Sequence, residues 1–398
     1  MSTQDPGKNR RRFIKVAGGG IVFAAMPVTG CRSFSAVPDS AIAAWDINLP
    51  PTEYRKWILS HAILAPNPHN RQPWLVDLAE PDVITVSLDT GRLLPETDPF
   101  GRQILIGTGA MLGLLEMAAH NQGYTVSLNF LGSESIDQLP DSTPLVRVEL
   151  KKTQKPFDRQ TYELFMEIRN RHTERGLYQP NREIPGDFQQ SLDLLTHGQG
   201  IIFSSTENSQ IFSSISTLVK QAWHTELSTP ATMMESMNLL RVGSAEIDRY
   251  RDGITIDSPF LVMLNKLGLL DRSKPPRNNS RVFRGQIDDF NRAIDSTPAY
   301  YVQTSEDNSR WSQLQAGRNY IKAQLLATGM GLTMHPISQG LQEYEEVAET
   351  YSALHTLINE ENGTTDNTVQ MLTRIGYLSA DVKSGGPAPR RGLEAHLI

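Results

Sequence analysis

The chain is poor in cysteine: among 398 residues it has one, Cys31. A single thiol excludes an intramolecular disulfide, a cysteine-rich zinc site and a cysteine-ligated cluster. The nine histidines are scattered and form no H-E-x-x-H pair, so the sequence gives no support for a metal centre. No basic stripe tracks along the chain. With a net charge of −6 and a pI of about 5.9, nucleic acid is excluded as an expected partner. No G-x-G-x-x-G follows a strand-like segment, so the chain has no dinucleotide domain of its own. What remains is an ordinary globular composition, 39% apolar and 21% charged. At this length it builds a substantial core, in two domains or one large α/β body.

The N-terminus reads as an address. Asn9 to Lys15 is "NRRRFIK", followed by "VAGGGIVFAAMPVTG", an apolar run too short and Gly-rich to span a bilayer. Arg10 and Arg11 with Phe13, Ile14 and Lys15 resemble a twin-arginine export signal, with Asn9 where Ser or Thr is usual. "VTGC", Val28 to Cys31, resembles a lipobox; the other reading is a plain signal cut elsewhere. The resemblance implies export, usually of an already folded protein, to the periplasm or cell envelope. It also implies a diacylglycerol on Cys31 that anchors the chain stably to a membrane surface. Residues 1–31 are thus expected to be signal and 32–50 a Ser/Ala/Pro linker.

In the body, hydrophobic period predicts a helix over 52–65, ended by Pro66. It predicts strands at "DVITVSL" (82–88), "TVSLNFL" (125–131) and "PLVRVEL" (144–150). Between the first two lies 101–124, apolar nearly all round and so a buried helix. Residues 157–170 read as a helix on which Glu167 can pair with Arg171. "GIIFSS" is a strand, 210–227 a helix, and "PAYYVQT" (298–304) a strand. A second buried helix is expected at 317–332 and a closing strand at 369–378. Residues 228–285 look less regular and contain a short apolar segment, "PFLVMLNKLGLL". Gly101-Arg102-Gln103 and Gly317-Arg318-Asn319 open similar buried helices, which suggests two related halves, 50–155 and 156–398.

Four stretches carry candidate chemistry: "APNPHNRQPW" (65–74), "RNRHTERG" (169–176), "MHPISQG" (334–340) and "PAPRRGLE" (387–394). Arg171 and Arg175 around Thr173, and Arg390 with Arg391, offer guanidinium forks suited to phosphate. Alone, each pair reads equally as a solvated basic end. Asn67, Asn70 and Gln72 are amides held in a proline-rich turn.

Taken together, these stretches resemble the nitroreductase family of FMN enzymes. "APNPHNRQPW" is similar to the family's turn against the flavin, "RHTERG" and "PAPRRGLE" to its two phosphate clamps, and "HPISQG" to the segment passing the flavin ring. The order, turn first and clamp second, resembles the Acg-like FMN-binding subgroup, in which one chain imitates a two-subunit dimer. The resemblance implies an α+β fold, with a mixed, mostly antiparallel sheet and flanking helices. Two fused halves would form a monomer with one composite site.

For that site it implies FMN, with phosphate on Arg171, Thr173, Arg175, Arg390 and Arg391. The ring edge would meet Asn67, Asn70 and Gln72, and its face Pro66, Pro68, Pro336, Ile337 and Ser338, with the Ser338 N–H near flavin N5. No residue is assigned as general acid or base, and His69 is expected at the surface. Residues 228–285 are an expected lid. The function implied is reduction of a nitro compound, quinone or similar acceptor. The alternatives are an FMN holder without turnover and a structural lipoprotein.

Overall fold

The computed structural model describes residues 37–47, 53–154, 158–278 and 280–398. The expected signal and Cys31 lie outside them. Within the expected linker, Asp39–Ile42 is a helical turn and Trp45 is buried.

In the first half, helix α1 (Tyr54–Ala62) leads through the proline-rich turn into β1 (Trp74–Asp77) and β2 (Val83–Leu88). Helix α2 (Arg102–Asn121) follows, then β3 (Tyr124–Phe130) and β4 (Val146–Lys152). The strands pair antiparallel in the order β1-β2-β4-β3. The α2 sequence is apolar all round because it is buried on nearly every side. Its N-terminus is fixed by the Asp98 carboxylate, which accepts the Gln103 and Ile104 N–H groups at 3.0 and 2.9 Å.

The second half begins with α3 (Arg159–Met166), capped by Asp158, and α4 (Gly186–Thr196). Strand β5 (Gly200–Ser204) is followed by α5 (Ser209–Ser228), α6 (Pro230–Asn238), β6 (Leu240–Val242), α7 (Gly243–Tyr250), β7 (Ile254–Ile256), α8 (Pro259–Lys266) and α9 (Arg281–Asp295). Then come β8 (Ala299–Ser305), α10 (Arg310–Gly329), β9 (Thr333–Pro336), α11 (Ala348–Asn362) and β10 (Thr368–Gly376). The main strands pair antiparallel in the order β5-β8-β10-β9.

With α3, the segment from α5 to α9 and α11 set aside as additions in the second half, both halves run helix, strand, strand, buried helix, strand, strand, with the same strand order. The fold is α+β as expected. Its antiparallel strands form two sheets, one per half, rather than a single mixed one; among the described residues parallel pairing occurs between β6 and β7 and at two isolated bridges, Val76 with Leu397 and Thr173 with Met334.

The two buried helices cross at glycines. A Cβ on Gly109 of α2 would collide with the Leu314 carbonyl, and one on Gly317 of α10 with the Ile106 carbonyl. Each glycine is the eighth residue of a 20-residue helix. Gly317 thus corresponds in the fold to Gly109, not to Gly101 as the sequence match suggested.

The stretch expected to be irregular, 228–285, is instead regular. It holds α6 to α8 and the β6–β7 pair around its own apolar cluster, which includes Met233, Met237, Leu261, Val262 and Phe283.

Candidate functional site

The stretch 66–72 connects α1 to β1, and its backbone is held in an unusual shape. His69, Asn70 and Gln72 all have positive φ, at 48°, 51° and 49°. Asparagine and, to a lesser degree, histidine enter this region more readily than most residues, whereas glutamine rarely does, at a cost of about 1–3 kcal/mol. The strain is offset by a closed set of hydrogen bonds. The Asn67 Oδ1 accepts the Gln72 N–H at 2.7 Å, and Asn67 Nδ2 donates to the Ala65 carbonyl. Gln72 Oε1 accepts the Arg391 N–H at 2.9 Å, while its Nε2 donates to the Arg251 carbonyl at 2.8 Å. Asn70 Nδ2 donates to the Pro389 carbonyl at 2.9 Å, and its Oδ1 accepts from Arg390 at 2.6 Å. The amides expected at a flavin edge are thus committed to the turn and to the C-terminal stretch.

Arg171 and Arg390 converge on the end of α1. Arg171 Nη2 and Arg390 Nη2 both donate to the Leu64 carbonyl at 3.0 Å, and Arg390 also to that of Ala65. Arg171 Nη1 reaches Gln324 Oε1 at 3.1 Å. Arg171 does not pair with Glu167, because α3 stops at Met166 and Glu167 receives Asn170 instead. The Trp45 ring lies 5.6 Å from the Arg171 guanidinium and 5.3 Å from that of Arg390. Burial pushes Arg171 down to about 10, and burial together with Arg171 pushes Arg390 down to about 9.

Arg175 is exposed to solvent, and desolvation by the surrounding protein still lowers its pKa. Its charge is felt by His69, His335 and Tyr320. Thr173 bridges to Met334 of β9, so the 171–175 strap lies beside the strand leading into Pro336. Pro336 and Ser338 are half-buried, while the Ile337 side chain is sunk in the second half's core. His69, expected at the surface, is half-buried. Burial pushes its pKa down to about 4, its Nε2 meets Ser236 Oγ at 3.0 Å, and its Nδ1 is buried without a partner.

Arg391 parts from Arg390. It donates to the Gln72 carbonyl and contacts His396 on the far side of the turn, near Arg71, Arg92 and Asp252. Asp252 there receives Arg71, Arg92 and Arg241 at 3.3, 2.8 and 2.9 Å. Gly253 N–H also donates to the Asn70 carbonyl. The 228–285 insertion is therefore fastened directly over the turn.

The charge count at this junction decides what it can hold. Among the described residues, no carboxylate lies within ion-pair distance of Arg171, Arg175 or Arg390. The carbonyl dipoles at the end of α1 supply only about half a charge. Nε of Arg171 and of Arg390, Nε2 of Gln324 and the Tyr320 hydroxyl are buried without partners. Buried cations in excess, with unspent donors, make a site for an anion with several oxygens.

Sequence reasoning missed Tyr320 and Gln324. They sit four apart on a helix that also carries Gln313, Gln315, Arg318, Asn319 and Lys322, so no local pattern set them apart. It missed Trp45 because a lone tryptophan in a Ser/Ala/Pro stretch shows no period.

The chain is similar to nitroreductase-like proteins of Mycobacterium tuberculosis. Over 369 residues, 90% of this chain and 95% of the other, it is 25% identical to a putative NAD(P)H nitroreductase of that organism. Over 77 residues, 19% of this chain and 23% of the other, it is 36% identical to the putative NAD(P)H nitroreductase acg. No family model matches the chain. Among solved structures, a putative nitroreductase from Anabaena variabilis aligns over 93% of this chain and 99% of its own, at 12% identity and a TM-score of 0.43. The FMN-dependent nitroreductase NfnB from Mycobacterium smegmatis, in complex with NADPH, aligns over 60% and 97%, at 15% identity and a TM-score of 0.35. Both are loose likenesses of outline.

Proposed function

We propose that this chain is an FMN-dependent oxidoreductase of the nitroreductase type, held in the cell envelope, that reduces a nitro compound, a quinone or a similar small acceptor. The observation that carries this reading is the pair of buried cations, Arg171 and Arg390, with the exposed Arg175 on the same strap and no carboxylate in ion-pair distance of any of the three among the described residues. A phosphate monoester supplies the missing charge and accepts the unspent Nε–H donors. Arg171, Thr173, Arg175 and Arg390 would hold that phosphate, with Arg391 holding the turn. The near full-length similarity to a putative NAD(P)H nitroreductase supports the same reading.

When bound, the flavin supplies the electron and hydride chemistry. The chain binds and orients. Asn67, Asn70 and Gln72 fix the turn and aim Arg390, and Pro66 and Pro68 stiffen it. Pro336 and Ser338 would border the flavin, and Ile337 anchors that segment in the core. His69, neutral at physiological pH, serves as a hydrogen-bonding group to Ser236 rather than as a cationic acid. The single composite site belongs to a monomer, exported by the twin-arginine route and anchored through Cys31.

A second reading is an FMN-holding protein without turnover. It is favoured by the insertion, whose Asp252 fastens it over the turn through two arginines of the first half, Arg71 and Arg92. The visible spectrum of the purified chain, with the released cofactor identified, tests both. Bleaching by NADPH supports the enzyme, and bleaching by dithionite alone supports the holder. A colourless chain that also refuses added FMN contradicts both.

A further inference from the structure

Helix α8 is apolar on two opposite sides. Leu261 and Val262 face inward, packed with Met233, Met237 and Phe283. Phe260, Met263 and Leu267, spaced three and four apart, lie on the other side, exposed at 61%, 49% and 63%. Leu269 adds a fourth large side chain, exposed at 49%. A third of the molecule's exposed large hydrophobics among the described residues thus fall within ten residues. No helical period within a buried core explains this, because the inward face is already satisfied.

The charge of the same segment opposes that of the whole. The chain carries −6, yet residues 259–284 hold six cations and one acid, Asp271. Arg272 is taken by Glu246 and Lys274 by Asp271. Lys266, Arg277, Arg281 and Arg284 are exposed, with no carboxylate in ion-pair distance among the described residues. Phe283, in the first turn of α9, belongs to the same apolar cluster as Leu261 and Val262, so α8 and the cation-bearing start of α9 share one core.

We infer that the outer face of α8, with Leu267, Leu269 and the cations around them, docks on an anionic lipid surface. Apolar side chains flanked by Lys and Arg are what an interfacial helix needs. The apolar groups enter the headgroup boundary while the cations meet lipid phosphates. A second copy of this chain suits the face less well, since an isologous contact would set the same four cations against each other. The surface lies on the insertion that covers the candidate site, and the inference stands independently of what that site binds. If Cys31 is acylated, the two contacts act together.

The full chain with Cys31→Ser has no thiol and no acyl group, so adding Leu269→Cys gives one labelling position on the face. An environment-sensitive fluorophore there is titrated with phosphatidylglycerol vesicles and with phosphatidylcholine vesicles. A blue shift is expected with the anionic vesicles, weakened in high salt and much smaller with the neutral ones. In the Cys31→Ser chain, Phe260→Ser with Leu267→Ser is expected to lower vesicle co-sedimentation at least about tenfold. The far-ultraviolet spectrum should not change, because both side chains are already exposed. A label that stays unshifted while the chain co-sediments overturns the inference. So does an equal shift on both vesicles, or a shift that follows protein concentration without lipid, which assigns the face to a second copy.

Discussion

Arg171 and Arg390 share one carbonyl, that of Leu64, and the Arg171 charge adds to burial in lowering the Arg390 pKa. In the cofactor-free chain this repulsion offsets much of what their hydrogen bonds contribute. Arg390→Ala is therefore expected to change the stability of the apo chain by no more than about 2 kcal/mol in chemical denaturation. The same change should weaken FMN binding at least tenfold in a fluorescence titration, and Arg390→Lys should lose less. Equal FMN affinity in all three chains would remove Arg390 from the clamp.

Glu226 gives a prediction about pH. It is buried at the end of α5 with its Oε2 unpartnered, and burial pushes its pKa up to about 7 from 4.5. Between those values the folded chain holds a proton that the unfolded chain has lost, so stability falls as pH rises from about 4.5 to 7. Glu226→Gln cannot lose a proton. Relative to the parent it should gain about 2–3 kcal/mol on going from pH 4.5 to pH 8. A parallel pH dependence of the two chains would place the ionisable strain elsewhere.

At the scale of elements, the sequence was clearest where one force acts alone. Helix α2 and strand β3 read correctly because burial set their pattern. Helix α10 was expected to start at 317 but starts at Arg310, capped by Ser309. Its first turns carry Arg310 and Gln313, which look solvent-facing yet are buried. Arg310 holds the carbonyls of Phe100, Ser135 and Gln138, partners far away in sequence. Helix α9 was hidden in the same way, among charged residues that mask Phe283 and Ile294. The turn residues at the site were legible as a group, but their roles were not. Their amides bond to 389–391, some 320 residues on, and no local pattern records that.

The glycine crossing and the Asp252 fastening belong to this scale too. Gly317→Ala forces α10 away from the Ile106 carbonyl, and a loss of about 3 kcal/mol or more is expected in thermal or denaturant unfolding. Asp252→Asn leaves Arg71 and Arg241 without their anion, while Arg92 keeps Asp89, at a cost of about 3 kcal/mol. It should also make the insertion cut faster than the body in limited proteolysis, and FMN exchange faster. Unchanged proteolysis would mean that the apolar cluster alone holds the insertion down.

At the scale of the molecule, one topology is used twice and one site is assembled once. The connection α1 to β1 carries the strained turn, whereas α4 to β5 is joined by His197, Gly198 and Gln199. The strap that bears Arg171 and Arg175 precedes the second half's sheet, yet Arg171 closes on the first half's carbonyls. Duplication thus explains the fold, and the divergence of its copies explains why a full complement of cations occurs at one junction. The order of turn, strap and C-terminal arginines was visible in the sequence; that Arg390 and Arg391 part company was not. The most direct test is to denature a weighed amount of the purified chain and measure the FMN released. The account predicts close to one FMN per chain, lost in Arg171→Ala with Arg390→Ala. Two per chain, or one that survives that double substitution, would contradict a single site built across the halves.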